Sequence, residues 1–187
     1  MKQKNAPSKG SLLISKPLIG DGFFEQSIVY LTEHNHEGSM GFALNKESLL
    51  LAQDFINDLE GKDAIIFGGP VEQDALFFLH SFDNLPGAKL INNDIYFGGD
   101  FDVFQEAFRT TQKHSIESRL PKLFLGYSGW SEGQLEREIA DGTWIVVNPP
   151  LELDPLTVRK ETWKEYMLDL GGNYALWANA PKDPLLN

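Results

Sequence analysis

Short apolar runs bounded by polar residues, glycine or proline recur along the chain, and this pattern is typical of β-strands. The runs that predict strands cover residues 10–15, 27–33, 40–44, 95–97, 123–127 and 143–147. Two further apolar runs, 64–67 and 75–79, are separated by Gly68-Gly69-Pro70. The second and third strands are joined by the polar segment 34–38, which predicts a β-hairpin because the connection is so short.

Apolar residues spaced three or four positions apart predict helices between these strands. The predicted helices lie over 52–59, from Phe101 past Phe108, from Ser131 to near Gly142, and over 163–170, with a last turn or two at 174–179. In the helix over 52–59, the side chains expected to face inward are Phe55, Ile56 and Leu59. Strands followed by helices inserted among later strands predict an α+β fold.

Residues at the ends of the predicted helices have the chemistry of helix caps. Asp100 precedes the helix that begins at Phe101, and its carboxylate can accept an otherwise unpaired backbone N–H. Ser131 and Gln134 have the spacing of a reciprocal capping box. Gly61 and Gly142 stand where a left-handed residue often ends a helix.

The organisation of the chain predicts a single domain. No repeat, linker or low-complexity tract interrupts residues 10–180, which are preceded by an expected frayed stretch, 1–9, and followed by a proline-containing tail, 181–187. The first apolar run, residues 12–14, is shorter than the roughly 7–15 residues of a secretory signal and the about 20 of a membrane helix. We therefore predict a cytoplasmic protein without membrane contact.

Composition removes several classes of function. The 187 residues include 16 basic and 27 acidic side chains, and the formal charge of −11 repels phosphate backbones. The only adjacent basic pair, Arg159-Lys160, is followed by Glu161, whereas DNA binding needs clustered Lys and Arg, so direct nucleic-acid binding is not expected. The lack of cysteine excludes disulfides, thiolate catalysis and cysteine-ligated metal centres. We predict no cofactor.

Two motifs invite a chemical interpretation. Ser128 lies at a predicted strand-to-helix turn, as in the hydrolase elbow G-x-S-x-G, but Trp130 replaces the last glycine, so a turn serine is the better interpretation. His34 and His36 are two positions apart and would point to one side of an extended chain, as a metal pair requires. Two ligands are too few for a metal site, and we predict none.

Glycine turns and acidic runs have structural explanations as well. Gly98-Gly99-Asp100 lies between a predicted strand and a predicted helix, where an anion could bind, but the acidic residue already occupies the helix end and favours a tight turn. Glu132, Glu136 and Glu138 are interpreted as a solvated helix face. Trp144 is interpreted as core packing or as the wall of a small-molecule pocket.

Several turn and strand-end segments, taken in their order, resemble the YqgE/AlgH family of bacterial proteins. The resemblance rests on Gly10-Ser11-Leu12-Leu13-Ile14, Ser27-Ile28-Val29-Tyr30-Leu31-Thr32-Glu33-His34-Asn35, Gly38, Gly41, Asn45, Gly68-Gly69-Pro70-Val71, Gly99-Asp100 and the segment from Gly126 to Leu135. The ordered match spans most of the chain, from residue 10 to the region of Trp163. The chain departs from the family pattern at Glu47, where relatives tend to have proline, so the entry to the helix over 52–59 is expected to differ.

The resemblance implies an α+β fold in which helices surround a mixed, branched or barrel-like β-sheet. It implies no established activity. Family members carry the label of transcriptional regulator, but this label rests only on an association with the control of exopolysaccharide synthesis. No helix-turn-helix pattern supports direct DNA contact. The family motif that matches is Glu33-His34-Asn35, so His36 lies outside it and is a weaker candidate for a metal ligand. The position of Ser128 is often alanine in similar sequences, which weakens the interpretation of Ser128 as a nucleophile.

We therefore predict a regulatory or binding protein, without catalysis, that acts through a protein or small-molecule partner. The predicted binding surface consists of the motif-matching residues Glu33, His34, Asn35, Gly69, Pro70, Tyr127, Trp130 and Gln134. The alternative is a hydrolase or transferase with His34 as general base, because an imidazole accepts and donates protons near neutral pH. Convergence of these segments on one cleft would indicate a site, and their separation would indicate an architectural pattern.

Overall fold

Ten strands and four α-helices make up the regular structure of the residues that the computed structural model describes, 5–17, 22–59, 63–114 and 119–179. The strands are β1 (Leu12–Ser15), β2 (Ile28–Asn35), β3 (Gly38–Ala43), β4 (Glu47–Leu51), β5 (Ala64–Phe67), β6 (Val71–His80), β7 (Lys89–Asn92), β8 (Ile95–Phe97), β9 (Lys122–Ser131) and β10 (Trp144–Val147). The helices are α1 (Phe101–His114), α2 (Gln134–Asp141), α3 (Thr162–Leu170) and α4 (Gly172–Ala178), with short 3₁₀ helices at Ala52–Asp54 and Pro155–Thr157. Within the described ranges, no helix is long and apolar enough to cross a membrane.

The strands form one sheet that branches at β9. Along the main path the order is β10-β1-β2-β3-β9-β6-β8-β7, and every neighbouring pair on it is antiparallel. The second half of β9 pairs with β3, whereas the first half pairs in parallel with β5, which pairs with β4. The end strands β10 and β7 do not pair with each other, so the described sheet is open and not a closed barrel. The α+β fold with a branched sheet is confirmed.

The branch brings two backbones into close contact, which only glycine permits. The chain leaves β5 on one edge of β9 and enters β6 on the other edge, so residues 68–70 cross β9. A Cβ atom at Gly69 would lie 2.0 Å from the carbonyl carbon of Tyr127. Gly126 of β9 has a φ of +68°, and a Cβ atom there would lie 2.6 Å from Gly69 O. The glycine turn predicted from the sequence is therefore a strand crossing.

Successive residues of the central strands alternate between two faces of the sheet. The face that we name the inner face packs against α3 and α4, and its buried side chains include Leu12, Ile28, Tyr30, Phe42, Phe124, Trp163 and Met167. The opposite face carries a cluster under α1 and another under α2; we name the second area the α2 face, with Leu13, Val29, Trp130, Leu135, Ile139 and Trp144. Trp163 Nε1 donates a 2.8 Å hydrogen bond to Ser15 O, which ties α3 to β1.

The prediction of a helix over 52–59 is wrong. Only Ala52–Asp54 is helical, and it directly follows β4, which the sequence pattern did not predict. The apolar spacing of this segment does not continue as a helix, because the chain leaves helical geometry after Asp54 and Asp58 takes the left-handed conformation, with a φ of 56°. The carboxylate of Asp54 accepts a 2.9 Å hydrogen bond from Leu51 N and closes the turn after the strand.

Because this segment is not a helix, the burial of its side chains also differs from the prediction. Ile56 and Leu59 are buried as expected, but Phe55, which was expected to face inward, is 40% exposed. Gly61, the expected end of that helix, lies outside the described residues. The same holds for residues 1–4 and for the predicted tail 181–187, whereas residues 5–9 are described and lack regular secondary structure.

Several locally encoded elements are present as expected. The hairpin of β2 and β3 exists, although its turn is only His36-Glu37, because His34 and Asn35 belong to β2. Asp100 caps α1, accepting hydrogen bonds of 3.0 and 3.1 Å at Oδ1 from the backbone of the first helical turn. Gly142 ends α2 in the left-handed conformation. By contrast, β7 was not predicted, and β9 continues through the predicted turn at Ser128 to its end at Ser131.

Gly69→Ala is expected to lower the free energy of unfolding by about 3 kcal/mol, because β9 must move away from the added methyl group. Gly22→Ala is the matched control, since a Cβ atom at Gly22 meets nothing within 4 Å. Urea unfolding followed by circular dichroism measures both variants. Equal stabilities would show that the crossing does not need glycine.

Candidate functional site

Three neighbouring strands carry most of the predicted binding residues, but on two sides of the sheet. Ser39 of β3 pairs with His34 of β2 on one side and with Trp130 of β9 on the other, so these three residues form a row on the α2 face. The next residue of β3, Met40, pairs with Glu33 and packs against the inner-face cluster. Because adjacent strand positions point to opposite faces, Glu33 and His34 are separated by the sheet.

His34 lies between a hydroxyl group and a carboxylate. Its Nδ1 is 2.8 Å from Ser39 Oγ, and its Nε2 is 3.7 Å from Glu136 Oε1 on α2. The imidazole is 18% exposed, so solvent reaches it. A histidine placed between a carboxylate and a hydroxyl can take a proton from that hydroxyl. Ser39 and Glu136 are the partners that sequence reasoning missed, because the observed register sets Ser39 opposite His34 and the packing of α2 brings Glu136 to the ring.

Trp130 is held inside the α2 face by a buried hydrogen-bond network. Its Nε1 donates to Glu138 Oε2 at 2.9 Å, and Trp144 Nε1 donates to the same oxygen at 2.8 Å. Gln134 Nε2 donates to Glu138 Oε1 at 3.0 Å, so both carboxylate oxygens have partners. Trp130 is only 6% exposed. Glu138 is therefore a structural anchor and not part of a solvated face, unlike the exposed Glu132 and Glu136.

Gln134 fixes the turn before α2. Its Oε1 accepts hydrogen bonds of 3.1 Å from both the backbone N and the Oγ of Ser131. The capping contact from the predicted box is thus present on the Gln134 side, but the helix begins at Gln134 itself, with Gly133 as the preceding cap residue. The helix starts later than predicted because Ser131 still belongs to β9, where it pairs with Gly38 of β3.

The remaining predicted residues lie on the inner face or at the crossing. Glu33 Oε1 is 3.6 Å from Lys89 Nζ, an exposed ion pair. The ring of Tyr127 packs edge-on against Phe77, with centroids 5.7 Å apart. Gly69 is buried in the crossing, and Pro70 after it is exposed. The structure therefore brings His34, Trp130 and Gln134 together on the α2 face, and places Glu33 and Tyr127 on the other side of the sheet.

The hairpin turn separates the two histidines that were considered as a metal pair. His34 is a strand residue, whereas His36 occupies the turn that Asn35 closes by accepting a 2.8 Å hydrogen bond from Glu37 N. The expectation that both imidazoles point to one side of an extended strand is therefore wrong. In the described ranges, no group of three or more His, Cys, Asp or Glu side chains has the arrangement of a metal site.

Ser128 does not lie at a strand-to-helix turn. It belongs to β9, is fully buried, and its Oγ donates a 2.8 Å hydrogen bond to Gly68 O at the crossing. Its hydroxyl is thus committed to the backbone and closed off from solvent. The N-terminus of α1 is likewise occupied, because Asp100 caps it and its own N–H donates to Pro86 O at 2.8 Å.

An exposed apolar area near β4 was not predicted. We name it the β4 patch; it comprises Leu49, Leu50, Phe55 and Phe67. Leu49 is 100% exposed, and the other side chains are 40 or 41% exposed. The signal in the sequence is the triple leucine 49–51, for which no element was predicted. Apolar side chains that adjoin one another at the surface often mark a binding site, whereas singly scattered ones need no explanation.

Comparisons with known proteins place this structure in a family. The AlgH-like family model (DUF179) matches residues 12–175. The chain belongs to the AlgH-like family. It is 40% identical over 185 residues to a UPF0301 protein of Parabacteroides distasonis, with 97% of this chain and 92% of the relative covered. It is 38% identical over 183 residues to a UPF0301 protein of Cytophaga hutchinsonii, with 96% and 99% covered.

Solved structures agree with the AlgH-like fold. The solution structure of the AlgH protein from Pseudomonas aeruginosa superimposes with a TM-score of 0.65 at 29% identity, covering 97% of this chain and 98% of that one. The crystal structure of protein DIP2367 from Corynebacterium diphtheriae gives a TM-score of 0.75 at 19% identity, with 95% of each chain covered. The second likeness shows the fold alone. The resemblance drawn from the turn motifs is confirmed.

Glu138→Ala is expected to lower the free energy of unfolding by about 3 kcal/mol, because it leaves the indole N–H groups of Trp130 and Trp144 buried without an acceptor. Glu136→Ala, two positions earlier on the exposed side of α2, is expected to change it by less than about 0.5 kcal/mol. Denaturant unfolding followed by tryptophan fluorescence measures both. An equal loss in the two variants would contradict the anchoring role of Glu138.

Proposed function

We propose that this AlgH-like chain is a cytoplasmic binding protein with a regulatory role, which acts by docking a protein partner, without catalysis and without direct DNA contact. The observation that carries the proposal is the β4 patch, which leaves Leu49 fully exposed and Phe67 40% exposed. Apolar side chains that become buried on association supply a favourable part of the free energy of protein binding. The polar motif residues, by contrast, mostly satisfy one another inside the fold.

The surroundings of the β4 patch specify the chemistry of the partner. Glu47, Asp54 and Asp58 are exposed beside it, and the whole chain has a formal charge of −11. A second copy of the chain would meet this charge with its own, so a basic partner is favoured. We infer an apolar segment flanked by Lys or Arg on a different protein.

The geometry of β4 favours docking through side chains. The strand pairs with β5 only at Glu47 with Ile66 and at Leu51 with Ala64, and the register shifts between these pairs. A bulged edge strand does not offer an unbroken row of hydrogen-bonding groups to another strand. The partner is therefore expected to cover the leucine and phenylalanine side chains without extending the sheet.

The predicted binding surface enters this proposal in a reduced form. Glu33, Asn35 and Pro70 face solvent and form a proposed secondary contact area. Trp130, Gln134 and the buried Gly69 are assigned to the scaffold that holds this area in place. The acidic charge supports the exclusion of direct DNA contact, because phosphate contacts need clustered cations.

A photo-crosslinking amino acid placed at position 49 in cells is expected to give a discrete adduct with a different, basic protein, identified by mass spectrometry. With that partner purified, Phe67→Ser is expected to weaken binding about tenfold or more, because a central aromatic contact contributes over about 1 kcal/mol. Isothermal titration calorimetry measures the loss, and circular dichroism checks that the variant remains folded.

The matched control places the same crosslinker at position 176 on α4, where Leu176 is 71% exposed. It is expected to give no adduct with that partner. Identical adducts from both positions would show that exposure alone produces them. An adduct between two copies of this chain would instead assign the β4 patch to self-association and contradict the heterologous partner.

A second candidate function is supported by one specific observation. His34 stands between Ser39 Oγ, at 2.8 Å, and the carboxylate of Glu136, at 3.7 Å. In a hydrolase or transferase of this kind, His34 would act as general base and Ser39 as the group that it activates, with Glu136 orienting the ring. The role is confined to the α2 face and does not involve the β4 patch.

For this second function, purified protein is expected to hydrolyse short activated esters, and His34→Gln and Ser39→Ala are each expected to lower kcat/KM about 100-fold or more. His36→Gln is the control, because His36 occupies the exposed turn two positions away. A spectrophotometric assay of ester cleavage measures the rates. Activity that survives in both variants would eliminate His34 as the base.

A further inference from the structure

A small polar cavity beside β2 contains a tyrosine hydroxyl without a partner. The cavity has a volume of about 250 Å³. It lies between the β7–β8 hairpin, Arg119 just before β9, and the loop that leads to the second 3₁₀ helix. Its polar lining includes Tyr30, Asn92, Asp94, Arg119 and Asp154. Tyr30 is 0% exposed, and its hydroxyl has no hydrogen-bond partner among the described residues. Buried polar groups are nearly always paired, so this one needs an explanation.

The charged groups of the cavity form a network with a surplus of negative charge. The Arg119 guanidinium donates to both oxygens of Asp94, with Nη2 3.2 Å from Oδ1, and Nη2 also lies 3.3 Å from Asp154 Oδ1. The hydrogen bond from Arg119 holds the pKa of Asp94 below its ordinary value, so this carboxylate stays ionised. Within the cavity lining the two carboxylates face a single guanidinium, and Lys122 acts on Asp154 from outside the lining. Because the guanidinium is ion-paired with both Asp94 and Asp154, through Nε in the second case, the network disfavours an anion and favours a cation.

The free hydroxyl supplies a second requirement for a ligand. Burial, and then the charges of Asp154 and Asp94, raise the pKa of Tyr30 far above its ordinary value. The phenol therefore keeps its proton and serves as a hydrogen-bond donor at neutral pH. A fitting ligand has a positive charge for the carboxylates and, close to it, an oxygen that accepts from Tyr30.

We propose that this cavity binds a small amino alcohol, with its ammonium group against Asp94 and Asp154 and its hydroxyl oxygen over the hydroxyl of Tyr30. The volume accommodates about eight water-sized groups, at roughly 30 Å³ each. The ligand is therefore smaller than a typical drug-sized molecule, whose pockets begin at roughly 300 Å³. None of the predicted surface residues and no residue of the β4 patch lines the cavity, so the inference stands independently of the proposed protein partner.

The test uses serinol, 2-amino-1,3-propanediol, as the probe and glycerol as its matched control, because glycerol has the same carbon skeleton with a hydroxyl in place of the ammonium group. Titration of ¹⁵N-labelled full-length protein is expected to give saturable shifts of amide resonances around Asn92, Asp94 and Arg119 with serinol. Glycerol is expected to bind at least tenfold more weakly. Asp94→Asn is expected to remove the difference between the two probes.

Tyr30→Phe isolates the hydroxyl, because it deletes only the unpartnered oxygen. The variant is expected to bind serinol at least tenfold more weakly while its melting temperature stays equal to or above that of the parent chain. Tyr166→Phe is the control, since Tyr166 lies on α3 and does not line this cavity; its serinol affinity is expected to be unchanged. No saturable shift with serinol, equal affinity for glycerol, or undiminished binding by Tyr30→Phe would each overturn the proposal.

Discussion

The crossing of β9 by residues 68–70 is the constraint on which the rest of the structure depends. β5 and β6 pair with opposite edges of the first half of β9, and the few residues between them must pass over its backbone. Where the two backbones touch there is no room for a Cβ atom, which is why Gly69 and Gly126 face each other there. Once β5 occupies one edge of β9, β3 can pair only with its second half, and this arrangement sets the branch. The positions of α2 and of the hairpin follow from that register.

The branched sheet also explains why the residues that identify the family do not form one cleft. Glu33 and His34 are adjacent in sequence, yet the pleat sends them to opposite faces. Most polar groups near His34 already make hydrogen bonds within the fold. Glu138 accepts from the indole N–H groups of Trp130 and Trp144, and Gln134 accepts from Ser131 in the turn before α2. A motif can therefore mark a family through its architecture while leaving little chemistry open to a ligand.

Local rules predicted those parts of the fold that depend on neighbouring residues. The β2–β3 hairpin, the Asp100 cap and the end of α2 at Gly142 were all readable, because turn and cap chemistry acts over a few positions. The helix over 52–59 was wrong because apolar spacing does not show that the chain leaves helical geometry after Asp54, with Asp58 in the left-handed conformation. The strand β9 was cut short because the segment around Ser128 was interpreted as a turn, whereas pairing with β3 extends the strand to Ser131.

The candidate site was less predictable than the fold, because its partners are set by register and packing. No local pattern shows that Ser39 and Glu136 flank His34, or that Arg119 bridges Asp94 and Asp154. The sequence directed attention to polar residues at turns, and most of these have their hydrogen bonds satisfied within the chain. The groups left open are of another kind: exposed apolar side chains on and near β4, and the buried hydroxyl of Tyr30, in a strand with the pattern of ordinary core. Since binding gains most where the free protein leaves apolar surface exposed or a polar group unpaired, these features are the stronger indicators of function.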